Sequence, residues 1–141
     1  MNKDKKLLAL SYQRTLIYLG LEDISAVFML PEIGGGQGVN EDGLWVTSVA
    51  IFLRINLNCG FIEIASGSEL IENCDVPSLL ESVYLKSSPE SQPEIWMGIQ
   101  FSATKKLNDL LRLNNLLRWE AMSEEVNHGF IGSVFDAYEE F

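Results

Sequence analysis

The chain has 141 residues, 47% of them apolar, and carries 20 Asp and Glu against 10 Lys and Arg, a formal charge of -10. That length and apolar share can enclose one core and hardly two, so a single domain over 1–141 is expected. Such acidity disfavours nucleic acid and anionic membrane as partners and favours basic ones, because the summed field extends over the whole surface.

Lys3-Asp4-Lys5-Lys6 followed by Leu7-Leu8-Ala9-Leu10 opens like a signal peptide, but Gln13 and Arg14 interrupt the apolar stretch and no small-residue cleavage site follows. The segment reads instead as a helix carrying Leu7, Leu8, Leu10, Leu16, Ile17 and Leu19, with Gly20 placed to cap its end. Pro31 and the run Gly34-Gly35-Gly36-Gln37-Gly38 then predict a mobile loop. Asn40 offers an N-cap, with Glu41 and Asp42 in the first turn, ahead of the apolar stretch 44–58. That stretch alternates like a strand near Arg54, Asn56 and Asn58, yet its length and start favour a buried helix ending near Gly60. No run approaches the roughly 20 apolar residues needed to cross a bilayer. The expected location is therefore cytoplasmic.

Phe61-Ile62-Glu63-Ile64-Ala65 reads as a short strand, and Ser68 or Pro77 as the start of short helices. Ser87 to Pro93 is a loop, and Ile95 to Phe101 reads as a second strand pairing antiparallel with the first. Ser102 would cap a helix with Leu107, Leu110, Leu111 and Leu113, interrupted near Asn114-Asn115, and Ser123 would cap a last helix reaching Tyr138. The expected fold class is α+β, a helix-dominated single domain with a small antiparallel sheet. Trp45, Trp96 and Trp119 are expected in its core.

The chemistry-bearing residues are few: one His, two Cys and no complete catalytic motif. The glycine run lacks the Lys and Ser or Thr of a phosphate loop, since Val39-Asn40-Glu41 follows, and its carboxylates would repel phosphate. Ser102-Ala103-Thr104-Lys105 matches the S-x-x-K pattern of penicillin-recognising enzymes, without the S-D-N or K-T-G elements that complete it. Glu120, Glu124, Glu125 and His128 have the spacing of a helical metal face, but a di-metal site needs a second histidine. Cys59 and Cys74 belong to no C-x-x-C pair and are expected as free thiols. No catalytic residue, metal or cofactor is therefore expected.

Charge is unevenly spread, with -8 over 32–94, +3 over 95–118 and -6 over 119–141. Glu69, Glu72 and Asp75, together with Glu120, Glu124 and Glu125, are the candidate contacts for a basic partner. Size, acidity, absence of a signal segment and the helix followed by Gly60-Phe61-Ile62-Glu63-Ile64 resemble the small acidic immunity proteins of bacterial polymorphic and contact-dependent growth inhibition toxin systems. The resemblance implies a cytoplasmic protein that binds a cognate basic toxin domain, often a nuclease, and blocks it without catalysis. Two other readings stand beside it. One is a winged-helix-like regulatory domain using Lys105, Lys106, Arg112 and Arg118; the other is a small enzyme acting on a cationic substrate through an acidic pocket.

Overall fold

In a computed structural model that describes residues 2–71 and 77–140, with backbone alone at 77–79, the chain forms a helix-dominated α+β fold with one small antiparallel sheet. Asn2 starts the first helix, α1 (Lys3–Leu21): its side-chain oxygen accepts from the Lys5 N–H at 2.8 Å, with Asp4 at the positive end of the dipole. The first six residues of α1 are exposed, but from Ala9 onward the helix is buried on most sides, polar Ser11, Gln13 and Thr15 included. It is a central element, flanked by residues 100–103, 105–113 and 128–138 and by the turn at Trp119–Ser123. Gly20 lies inside its last turn and not at its cap; a Cβ there would collide with Leu111 and Leu117.

The glycine run is not the open loop its composition predicts. It folds into a 3-10 turn (Ile33–Gly35), a single helical turn α2 (Gly36–Val39) and a second 3-10 turn (Glu41–Gly43). Gly34, Gly35 and Gly36 all have positive φ (57°, 82° and 74°), a conformation that glycine adopts at little cost. The stretch 44–58 is a helix, α3 (Leu44–Asn58), as its length and apolar character favour. Asn40 contributes its side chain to the start, accepting from the Val46 N–H at 3.1 Å from just outside the first turn.

The first strand, β1 (Ile62–Ser66), appears where expected. Its partner is shorter and later than the sequence pattern suggests: 93–98 form a helical turn, α5 (Pro93–Gly98), and only β2 (Gln100–Ala103) pairs, with Ile62 opposite Ala103, Glu63 opposite Ser102 and Ile64 opposite Phe101. Pro93 opens α5 at the position where a missing N–H costs nothing, and the turn delivers Trp96 into the core. Ile24 bridges to Phe101 on the other side of β2, through bonds of 3.0 and 2.8 Å.

Between the strands, α4 (Pro77–Leu85) packs along α3, joined to it by the Arg54–Glu81 ion pair at 2.6 Å. After β2, α6 (Lys105–Leu113) is capped by Thr104, and Ser102 remains on the strand. The Thr104 hydroxyl accepts from the Leu107 N–H and donates to the Gly60 carbonyl, tying α6 to the β1 entrance. The last helix, α7 (His128–Tyr138), is capped by Asn127; Ser123 ends a 3-10 turn, so the expected cap is displaced by four residues. One cluster of buried side chains draws on α1, α3, α4, α5, α6, α7 and both strands, with Trp45 and Trp96 fully buried and 5.3 Å apart between ring centroids. Trp119 departs from expectation, being 54% exposed.

Candidate functional site

The acidic residues singled out from the sequence do not form one patch. Glu69 is exposed on the 3-10 turn Ser68–Leu70, while Glu72 and Asp75 lie outside the described residues. Glu120 is exposed on the Trp119–Ser123 turn. Both oxygens of Glu124 accept from Arg118 Nη2, at 2.8 and 2.5 Å, so its charge is matched locally. Glu125 lies 3.9 Å from Lys6 Nζ on an exposed edge. These residues sit on a turn and an extended segment, so helical spacing does not align them. Exposed His128 shares a shallow cleft with Lys6, Glu125 and Val126. Among the described residues no group of three His, Cys, Asp or Glu side chains could hold a metal ion.

The remaining sequence candidates are also separated by the fold. Lys105 opens α6 and pairs with Asp109 at 2.6 Å, while Ser102 lies on β2 opposite Glu63, so no Ser–Lys pair shares a helix face. Cys59 is buried and free, and its thiol donates to the Ala137 carbonyl at 3.7 Å. Burial pushes that thiol up, outweighing the pull of Lys106, which keeps it a thiol and a poor nucleophile.

The arrangement missed by sequence reasoning lies where α3 and α7 end together. The Tyr138 hydroxyl donates to Asn56 Oδ1 at 2.7 Å, and the Tyr138 and Phe61 rings lie 6.2 Å apart between centroids. Two helix C-termini, each carrying partial negative charge, are thus brought to one end of the molecule. Asp136, Glu139 and Glu140 stand exposed on the same end, at spacings of three and four that keep them on one side. Lys106 lies by the residue that follows α3, its ammonium held by the Cys59 carbonyl at 2.7 Å and the Phe61 ring at 4.9 Å. The clue in the sequence was the -6 charge of 119–141; the convergence of the two helix ends was not encoded locally.

Positive charge elsewhere is largely committed. Lys6, Arg14, Arg54, Lys105, Arg112 and Arg118 all lie within 4 Å of a carboxylate, and between them engage Glu125, Glu32, Glu81, Asp109 and Glu124. Among the described residues outside the acidic pole, Asp4, Glu22, Asp23, Glu41, Asp42, Glu63, Glu69, Glu90, Glu94 and Glu120 have no such cationic partner. The outward field is therefore dominated by unpaired carboxylates.

A second feature adjoins the glycine run. A half-open cavity of about 440 Å³ is lined by Arg14, Tyr18, Val27, Phe28, Pro31 and Met122, with Gly35–Gly38 forming one wall. Leu30 beside it holds φ at 49°, a conformation that costs a non-glycine residue roughly 1–2 kcal/mol. Its surroundings impose it: the Leu30 N–H donates to Thr15 Oγ1 at 3.0 Å, its side chain is fully buried, and Trp45 Nε1 fixes the preceding Met29 carbonyl at 2.8 Å. Comparison of the chain with protein-family models, with curated proteins and with solved structures finds no match.

Proposed function

We propose that this chain is a non-catalytic acidic binding protein that neutralises a cognate basic toxin domain by covering its cationic surface, as its likeness to immunity proteins implies, and that it acts in the cytoplasm. The observation that supports the reading is the acidic pole, where two helix C-termini meet Asp136, Glu139 and Glu140. Clustered charge of one sign on a rigid helical end steers a partner of opposite sign and sets the orientation of encounter. A nucleic-acid reading needs free cations on α6 and the segment that follows it, but Lys105, Arg112 and Arg118 are each ion-paired and Lys106 is held on a carbonyl. Among the described residues the enzymatic reading has no assembled acid, base and nucleophile to support it.

The test pairs the gene neighbourhood with a binding measurement. A gene for a toxin with a basic domain is expected beside this one, and the two purified proteins should associate, abolishing the toxin's activity. Joint Asp136→Asn, Glu139→Gln and Glu140→Gln replacement should slow association about tenfold or more at low salt, with little change in dissociation. Failure of the pair to bind, or triple-variant kinetics like wild type, overturns respectively the toxin partner or the pole as its contact.

A further inference from the structure

We propose that the cavity beside the glycine run binds a small uncharged aromatic molecule carrying a carbonyl-type hydrogen-bond acceptor. The site shares no residue with the acidic pole, so it stands or falls independently of the toxin-binding reading. At about 440 Å³ the cavity lies in the range of small-molecule sites, and most of its lining is apolar. Phe28 is 55% exposed at its rim, unusual for a large aromatic side chain, and Tyr18 contacts it with ring centroids 6.4 Å apart. Tyr18 also meets the half-exposed Trp119 edge-on at 5.8 Å, so the two lining rings continue into a third outside the cavity. Such rings offer faces and edges for stacking a planar guest.

The polar end of the site is Arg14. Its side chain lines the cavity with 29% of its surface exposed, and its Nη1 reaches Glu32 Oε1 only at 3.5 Å. The other Glu32 oxygen is occupied by the Ser11 hydroxyl at 2.7 Å. A guanidinium has five N–H donors, and the long contact to Glu32 leaves those on its exposed side open to an acceptor that enters the cavity. Glu32 already balances the Arg14 charge, so the acceptor that fits is neutral. A carboxylate guest would sit beside Glu32 in a half-buried setting where like charges are weakly screened, and would also enter against the chain's overall negative field.

Three probes that share one ring system separate these contributions: 2-naphthamide, 2-naphthoate and 2-methylnaphthalene, each titrated into the full-length protein labelled for amide NMR. The expected result is a saturable shift of the Gly35, Gly36 and Gly38 amides with 2-naphthamide, and binding about tenfold weaker for 2-naphthoate. Arg14→Met should weaken 2-naphthamide by about tenfold while leaving 2-methylnaphthalene unchanged. Phe28→Ala, at an exposed position that folding tolerates, should weaken both. Absence of any shift at these glycines with 2-naphthamide overturns the proposal, as does equal or tighter binding of 2-naphthoate. If Arg14→Met perturbs the fold, the comparison of the three probes on the wild-type chain and the Phe28→Ala result still decide.

Discussion

Gln13 has no accessible surface, and both halves of its amide are used: Nε2 donates to the Glu125 carbonyl at 3.0 Å and Oε1 accepts from the Asn127 N–H at 2.7 Å. The side chain thereby acts as a short strand partner for the extended segment between the Trp119–Ser123 turn and α7. Without it those two part-buried backbone groups would lose their partner, each at a cost of about 1–3 kcal/mol. Gln13→Leu keeps similar bulk but removes both bonds, so the expected loss of stability is about 2–4 kcal/mol, read as a lower urea midpoint with an unchanged slope. A loss below about 0.5 kcal/mol would mean that water replaces the amide and that Gln13 does not set the path into α7. The same residue explains why the start of α7 was misplaced in the sequence reading. Ser123 and Asn127 are both good caps by type, and what decides between them is a glutamine more than a hundred residues earlier, a contact no local pattern reveals.

At the level of elements, what was legible was whatever local chemistry alone decides. The α3 helix followed from a long apolar run behind a capping asparagine, and β1 from a short β-branched run closed by glycine and serine. The second strand was misread because Ile95 to Phe101 carries strand-forming side chains throughout, yet Trp96 gains more by packing beside Trp45 and Tyr84 from a helical turn. The acidic pole was illegible for a related reason, since it requires α3 and α7 to end side by side. The turn after β1 shows how tightly these elements meet. Gly67 has φ at 87°, and a Cβ there would fall well inside van der Waals contact distance of the Gly98 carbonyl oxygen and 2.9 Å from the Ile99 Cα, both of them backbone. Gly60 has a similar φ of 75° but open space around the same position. Gly67→Ala should therefore cost about 2–4 kcal/mol and Gly60→Ala about 1 kcal/mol, because only the first adds a backbone collision to the conformational strain. Thermal unfolding of the two variants side by side checks the difference, and equal losses would show that the junction of β1 and α5 yields easily.

For the whole molecule, net charge and burial act together as pH rises. Burial pushes the Tyr12 phenol up to about 12, opposed in part by Arg54, and burial likewise raises Tyr84 and Tyr138, the latter helped by its neighbour Tyr12. A phenol whose folded value is raised binds its proton more tightly in the folded state than in the unfolded one. Its contribution to stability is thus fully present below about pH 10 and is lost as pH climbs toward 12. For Tyr12 alone the loss at pH 11 is about 1.4 kcal/mol, and the other two buried phenols add to it in the same direction. Alkaline pH also deepens a charge that is already -10, and that part of the destabilisation is long-range and screened by salt. The two parts are therefore separable. Raising salt from about 0.02 to 0.5 M at pH 7 should increase the unfolding midpoint modestly, whereas at pH 11 the same addition should recover only the surface share, since ions do not reach buried phenols. Tyr12→Phe removes one such phenol and should flatten the alkaline decline between pH 10 and 12 without altering the salt response. Complete rescue of the pH 11 midpoint by salt would instead assign the whole alkaline transition to surface repulsion, and with it remove the buried tyrosines from the account.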